Sequence, residues 1–283
     1  MTRKWMAVLM AAGLAVMSLA GCGAKEKPVT AQSLLEEIET KTKSMNSMTS
    51  HMTLNMTMEG EQMAQLGVDS MDVTMDADSQ VTQDPMASYI NGKMNLMGMN
   101  LDMEIYTVLE GDELVNYMGM MGSWMYQRLP YDKETINSIS ANAGELLQHI
   151  DSLTLQEETE DIDGKPAYII SGTLQGEEMM ELLGQAQSAL GTATGLNELM
   201  DEEAVENLSM DFKYAVDQES RLPVYGDFAF NGFENLTGQE EVTISNFTMR
   251  TDYTGFDNVE KIEVPQEVKD SAKEISTEDM LAE

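Results

Sequence analysis

The sequence has little of several residue types on which common folds and activities depend. It contains one cysteine and two histidines in 283 residues, and 16 basic residues against 50 acidic ones. One cysteine cannot form a disulfide within the chain, so an ordinary core must supply the stability. His51 and His149 have no recognisable nucleophile partner, and Ser123 lacks the flanking glycines of a nucleophile elbow. We therefore predict no catalytic residues, and an envelope hydrolase is only the third hypothesis.

The shortage of basic residues gives the chain a formal net charge of −34. A phosphate backbone requires a basic surface, so the composition argues against nucleic-acid binding. Anionic lipid head groups would also repel the folded part, so the protein needs another means of attachment to a membrane. Divalent cations or cationic peptides could be partners, but dispersed carboxylates more often form a solvated surface.

The only cysteine lies at the end of an N-terminal export signal. Arg3 and Lys4 precede an apolar run from Trp5 to about Leu19. This run is too short for a membrane-spanning helix and is followed closely by small residues. The residues Leu19-Ala20-Gly21-Cys22 form the pattern that bacterial lipoprotein processing reads. The alternative is a secretory signal without lipidation, in which the cysteine falls there by chance.

From this pattern we predict that residues 1–21 are removed and that Cys22 becomes the lipidated first residue. Each buried methylene contributes about 0.8 kcal/mol, so two or three acyl chains anchor a protein stably. Residues 22–30 then form a short tether. The predicted location is the extracytoplasmic face of the cell membrane, with the membrane as a partner through the lipid.

The apolar pattern after the tether changes from helical to alternating. Residues 31–45 have an apolar stripe typical of a helix, and Ser33 and Glu36 have capping-box spacing. Alternating residues then predict strands at 51–59, 71–76, 86–96, 97–109, 114–117 and 124–126.

The second half of the chain predicts further strands and helices. A hairpin is expected between 153–160 and 167–174 across Asp163-Gly164, a strong turn signal. Pro223 suits the start or edge of a strand, and a change of apolar parity predicts a bulge near Ser245-Asn246. The other expected elements are strands at 209–216 and 242–253 and helices at 132–150, 176–190 and 195–208.

No Gly/Ser/Pro-rich linker divides the chain, so we predict one domain over residues 31–268. Its fold class is α+β: a strongly curved antiparallel sheet, an open half-barrel, with helices packed on the concave side. Residues 269–283 are expected to be an acidic tail that forms a short helix or is disordered.

This order of elements resembles the lipoproteins of the LolA/LppX-like superfamily, especially poorly characterised Gram-positive members. The features that match are Cys22, the helix at 31–45, the meander after it, the aromatic hairpin at 114–126, the segments 163–168 and 217–223, and residues 259–265. The resemblance implies a half-barrel capped by helices, which holds acyl chains in better-known relatives. It transfers no individual ligand-binding residue.

Methionine is abundant, with 27 residues, 17 of them between Met45 and Met125. Flexible, polarisable thioethers suit a cavity that accepts varied apolar shapes, although they can also fill a core beneath helices. The predicted apolar cavity is lined by residues of three strands, Met52, Leu54, Met56, Met71, Val73, Met75, Met99, Leu101 and Met103. The filled core is expected for most of the methionines, and a cavity for some.

Two metals can be considered, and neither is predicted. Copper(I) accepts thioethers, and two groups have suggestive spacing, Met94, Met97 and Met99, and Met118, Met120 and Met121. No His or Cys lies beside either group. Calcium is suggested by 161–164, but the loop would need an acidic residue where Ile170 stands.

The sequence therefore predicts a non-enzymatic, membrane-anchored lipoprotein that binds a lipid or another apolar ligand without a cofactor. It is expected to be a monomer, and no protein partner can be named. The alternative is an envelope interaction module with a filled core and no small-molecule ligand.

Overall fold

A computed structural model describes residues 28–61, 64, 67–130, 151–176, 208–232 and 243–275. In this part of the chain, two helices accompany one open sheet of 13 strands. The helices predicted at 132–150, 176–190 and 195–208 lie outside the described residues, apart from the terminal positions 176 and 208. The strong curvature of the sheet stays a prediction.

The helices are α1 (Ala31–Ser44) and α2 (Gln266–Ser271). The strands of the first half are β1 (Ser47–Glu59), β2 (Ser70–Gln83), β3 (Met86–Leu96), β4 (Met99–Glu110), β5 (Glu113–Met120) and β6 (Ser123–Pro130). Those of the second half are β7 (Asp151–Leu155), β8 (Glu160–Ile162), β9 (Lys165–Gln175), β10 (Ser209–Asp217), β11 (Pro223–Asn231), β12 (Thr243–Phe256) and β13 (Lys273–Glu274).

The sheet consists of two meanders, one formed by β1–β6 and the other by β7–β12. They are joined where β1 pairs with β12. Its order is β13-β6-β5-β4-β3-β2-β1-β12-β11-β10-β9-β7, and β8 pairs with the start of β9. Strand β1 pairs with β12 along its length, in antiparallel register. The only parallel pair in the described part is β13 with β6. The predicted antiparallel meander is therefore confirmed, and it is open rather than closed.

Local signals in the second half are mostly confirmed. Asp163 and Gly164 form the predicted turn with φ of 53° and 81°, and the Gly164 amide donates to Asp161 Oδ1 at 3.0 Å. Strand β11 begins at Pro223. The single strand predicted at 153–160 is wrong, because this stretch is divided between β7 and β8.

The bulge predicted near Ser245-Asn246 is confirmed by the pairing of β1 with β12. Thr57 is opposite Asn246 and Met58 is opposite Ile244, so Ser245 is the extra residue. This shift keeps apolar side chains on one face although their numbering changes from even to odd.

Helix α1 has the predicted location but a different cap. Thr30 has extended backbone angles, φ −122° and ψ 158°, and its Oγ1 accepts a hydrogen bond from the Ser33 amide at 3.1 Å. Ser33 Oγ accepts from the Thr30 amide at 3.0 Å. The predicted cap by Ser33 and Glu36 is wrong, because the helix begins at Ala31 and Ser33 takes the third helical position.

Cross-strand partners share a face of a sheet, so the register divides the sheet into two faces. Leu54 pairs with Met75 and Met249, Met75 with Met94, and Met94 with Leu101. We call the face that carries these side chains the methionine face. It consists of the even-numbered residues of β1, β3, β5 and β10 and the odd-numbered residues of β2, β4 and β6.

The two described helices lie on opposite faces. Leu34 and Leu35 of α1 are buried against a cluster that includes Ile170 and Phe212. Phe212 pairs with Phe228, which pairs with Met249, so α1 covers part of the methionine face.

Helix α2 instead packs against the other side of the first meander. Val268 contacts Val115 and Tyr117, which are on the opposite face. The prediction that the helices share one side therefore fails for α2. This helix also spans the boundary that was predicted at residue 268, and β13 follows it onto the edge of the sheet.

The assignment of faces predicts that the same substitution affects stability differently at two adjacent positions of β2. Met75→Glu would place a carboxylate between Leu54 and Met94, and we expect a loss of about 1–3 kcal/mol in unfolding free energy. Thr74→Glu, at an exposed position on the other face, should change it by less than about 0.5 kcal/mol. Urea denaturation measures both. Equal losses would contradict the assignment of faces.

Candidate functional site

The nine residues of the predicted apolar cavity all lie on the methionine face. The register of β1, β2 and β4 brings them to one side of the sheet, through β3. Their burial differs: Val73 and Met103 are buried, Met99 is 57 % exposed, and the other six are half-buried. The face is thus neither uniformly filled nor open.

A small apolar cavity lies under α1, further along the same face. Its volume is about 280 Å³. The helix contributes Leu35, Ile38, Glu39 and Thr42, and the strand residues of the described part are Met48, Tyr214, Pro223 and Tyr253. Met48 is the only methionine among them, so the cavity lies beside the nine predicted residues rather than among them. We call it the helix cavity.

Contacts with the loops at one end of the sheet hold α1 over the helix cavity. Lys41 Nζ donates to the carbonyl of Ser220 in the β10–β11 turn. Arg221, in the same turn, lies 3.7 Å from Glu37 and stacks on the ring of Tyr168 at 4.7 Å. These contacts fix the distance between the helix and the sheet.

Two tyrosines supply hydroxyl groups to the helix cavity. Burial raises the pKa of Tyr214 well above its ordinary value, and a hydrogen bond with Tyr253 adds to the rise. Burial also raises the pKa of Tyr253. Both phenols therefore stay protonated at physiological pH and can donate hydrogen bonds.

The helix cavity has a neighbour with a more polar lining. A second cavity of about 310 Å³ shares Pro223 and Tyr253 with it and reaches Lys165 and Asp217. The backbone amide and the side chain of Ser220 donate hydrogen bonds to the Asp217 carboxylate and lower its pKa. The distance from the Ser220 nitrogen to Asp217 Oδ1 is 2.6 Å. Charged groups are thus near one side of Tyr253 and apolar groups near the other.

The opposite face of the first meander carries a larger, acidic depression of about 600 Å³. Its walls include four carboxylates and one cation, from Asp76, Asp78, Asp102, Glu104 and Lys93. Met103 borders it, and the other eight predicted cavity residues border none of the three cavities. Among the described residues no group of three or more His, Cys, Asp or Glu side chains is placed to hold a metal ion.

His51 lies on this acidic face between neighbouring strands. Its Nδ1 is 3.0 Å from Asp78 Oδ1, and its Nε2 is 3.6 Å from Asp76 Oδ2. The hydrogen bond with Asp78 raises the pKa of His51, and nearby carboxylates add to the rise against a smaller effect of burial. Its neighbours are carboxylates rather than a nucleophile. His149 lies outside the described residues.

The two groups considered for copper are each divided by a turn. Met94 and Met99 lie on the methionine face, as do Met118 and Met120. Met97 and Met121 instead occupy hairpin turns, each with φ of 52°. The segment considered for calcium is the hairpin turn at Asp163-Gly164.

Sequence reasoning missed the helix cavity, although it placed Tyr214 in a strand. The alternation of Met210, Phe212, Tyr214 and Val216 indicated one apolar face. It did not indicate that α1 would cross this strand rather than the methionine-rich strands. Tyr253 was likewise predicted only as the end of a strand.

Comparison with known proteins identifies a family. The family described as a family of unknown function (DUF6612) matches residues 30–273, and the chain belongs to it. No curated protein matches the chain. Among the described residues, no helix has both the length and the apolar character required to cross a membrane.

Solved structures resemble the chain only distantly. Lipoprotein LppX from Mycobacterium tuberculosis is 14% identical with a TM-score of 0.45, over 82% of this chain and 98% of that one. LprF from Mycobacterium bovis is 13% identical with a TM-score of 0.43, over 83% and 96%. A beta-barrel-like protein of a domain of unknown function (DUF1849) from Brucella abortus has 9% identity and a TM-score of 0.26, over 76% and 99%. At these scores, the LolA/LppX-like assignment stays a prediction.

The raised pKa of His51 predicts a pH-dependent contribution to stability. Its stabilisation is complete below the unfolded value of 6.5 and is lost as pH rises through the folded pKa. We expect His51→Gln to cost more unfolding free energy at pH 5.5 than at pH 8.5. The difference should stay below about 1 kcal/mol, because the side chain is 35% exposed.

Urea denaturation at the two pH values measures this difference. Asn55→Gln, on the same face of β1, is the control. It should change the unfolding free energy by the same small amount at both pH values. An equal cost of His51→Gln at pH 5.5 and pH 8.5 would contradict the assignment.

Proposed function

We propose that the protein is a non-enzymatic, lipid-anchored lipoprotein on the extracytoplasmic face of the cell membrane, and that it binds a lipid or another apolar ligand. The observation that carries the proposal is the helix cavity. It lies between an amphipathic helix and the face of the sheet that also carries the methionines. Ligand binding there would remove apolar surface from water on both molecules.

The helix cavity has the character of a binding site for an acyl chain. Leu35, Ile38, Met48 and Pro223 provide apolar walls, and each methylene buried there would contribute about 0.8 kcal/mol. Its volume of about 280 Å³ is near the lower end for small-molecule sites, which suits part of one chain. The methionine face beside it offers flexible side chains that can move to accept a longer one.

The anchor and the charge of the folded part have complementary roles in this proposal. The full chain has a formal net charge of −34, and removal of Arg3 and Lys4 with residues 1–21 makes the remainder more negative still. Anionic head groups repel such a surface, so lipid on Cys22 must provide the attachment. Residues 22–30, fully extended, reach about 30 Å. The domain can thus stand clear of the bilayer while it remains next to a source of lipid.

An interaction module is the second candidate, and the exposed methionines favour it. Met97 and Met121, at the tips of two hairpins, are 50% and 77% exposed, and Met99 beside the first tip is also exposed. Residues 94–101 and 114–127 contain no charged side chain in this strongly acidic chain. Neutral, apolar tips are surfaces that a protein partner could cover.

Co-purified lipid separates the two candidates. The mature chain with Cys22→Ser carries no acyl chain of its own, so any lipid extracted from it is a bound ligand. We expect mass spectrometry to find close to one lipid per folded protein. Ile38→Glu should reduce the amount at least fivefold, because it places a carboxylate in the helix cavity.

The matched control for that variant is Thr40→Glu, which adds the same charge to the exposed side of α1 and should retain the lipid. An empty extract from a folded Cys22→Ser chain would contradict ligand binding and favour the interaction module. Retention of lipid by Ile38→Glu would place the ligand elsewhere.

The anchor is tested separately by metabolic labelling with an alkyne analogue of palmitate in a bacterial host. The full-length chain should incorporate the label, and Cys22→Ala should not, because it removes the only thiol. Ser18→Ala, just upstream, leaves the Leu-Ala-Gly-Cys pattern intact and should label normally. Undiminished labelling of Cys22→Ala would rule out this site of lipidation.

A further inference from the structure

We propose that Tyr214 and Tyr253 form a polar recognition point within the helix cavity and select a neutral acyl ester as the ligand. The inference rests on the proposed function and gives the chemical class of its ligand. The ester carbonyl would accept a hydrogen bond from the tyrosine pair, while the acyl chain lies along the apolar walls.

The tyrosine pair is in the right place for such a role. Tyr214 and Tyr253 come from β10 and β12, project from the same face of the sheet as α1, and both line the helix cavity. Aromatic neighbours hold the rings: Tyr214 meets Phe228 edge-on at 5.6 Å, and Tyr253 stacks on Phe256 at 6.1 Å. Phenols fixed by neighbouring rings present their hydroxyls in a defined position.

The hydroxyl pair retains an unused donor. A hydrogen bond between the two phenols uses one of their two hydrogens. Within the described residues, no other side chain or carbonyl accepts from either hydroxyl. A carbonyl oxygen of a ligand beside the pair could accept the remaining hydrogen, which would add a hydrogen bond to the burial of the acyl chain.

The other polar groups of the helix cavity are already engaged. Thr42 Oγ1 donates to the carbonyl of Ile38 at 2.8 Å, and the Glu39 carboxylate pairs with Lys43. The tyrosine hydroxyls are therefore the donors that remain for a ligand among the residues described.

Charge then favours an ester over a free fatty acid. Glu39 is the only charged residue among the described walls and is already paired with Lys43, so a buried carboxylate would find no free cation there. An ester offers the same acceptor oxygen without a charge that must leave water. A hydrocarbon carries no charge either, but gives the unused hydroxyl hydrogen no acceptor.

Three ligands of equal chain length test the inference: methyl laurate, laurate and dodecane. Each is equilibrated at pH 7.5 with the mature chain carrying Cys22→Ser, and bound ligand is extracted and quantified. We expect the amount of bound ligand to decrease in the order methyl laurate, dodecane, laurate. Tyr253→Phe should weaken methyl laurate binding about fivefold and leave dodecane unchanged, because one hydrogen bond is lost.

Tyr106→Phe is the matched control, since Tyr106 is on the opposite face of the sheet and should affect no ligand. A merely structural role of Tyr253 would weaken methyl laurate and dodecane alike. If Tyr253→Phe does not fold, two measurements still test the inference. They are the binding of the three ligands to Tyr214→Phe, and the order of their binding to the protein that retains both tyrosines.

The outcomes separate this inference from the function on which it rests. Equal binding of methyl laurate and dodecane, or an unchanged preference in Tyr253→Phe, would overturn the recognition point and leave an apolar site in place. Tighter binding of laurate than of methyl laurate would overturn the inference that the ligand is neutral. Failure to bind any of the three would count against the proposed function as well.

Discussion

The pairing of β1 with β12 is the constraint on which the rest of the structure depends. It joins two meanders that are each built from neighbouring strands, and its partners are about 200 residues apart in sequence. A register error of one residue here would send the side chains of one meander to the wrong face. Because Ser245 is accommodated as a bulge, the methionines of β1 and the aromatic residues of β10–β12 other than Tyr225 share a single apolar face.

Local features of this fold could be predicted from sequence, whereas long-range ones could not. Alternation placed β3 at its observed bounds, and the parity change near Ser245 located the bulge, since both depend on side-chain direction alone. The cap was misassigned because Thr30 and Ser33 compete for the same role, and only the backbone angles at Thr30 decide between them. The long-range pairing of β13 with β6 has no local signature at two residues in length.

The candidate site shows the same division. Alternation correctly gathered nine apolar residues on one face, but the position of the helix cavity depends on where α1 crosses the sheet. That crossing is set by the contacts of Lys41 with Ser220 and of Glu37 with Arg221, which join the helix to a turn some 180 residues away in sequence. Polar contacts between distant segments leave no periodic trace, so the two tyrosines could not be identified as site residues from the sequence.

The exposed thioethers at the hairpin tips determine where oxidants would first react with the protein. Met121 is 77% exposed and Met97 50%, while the methionines of β1 and β2 are half-buried. Oxidants convert accessible methionine to the sulfoxide, which is polar and disrupts apolar packing. Peroxide would therefore reach the tips first, where the change costs little packing. The tips can act as sacrificial scavengers that spare the apolar face.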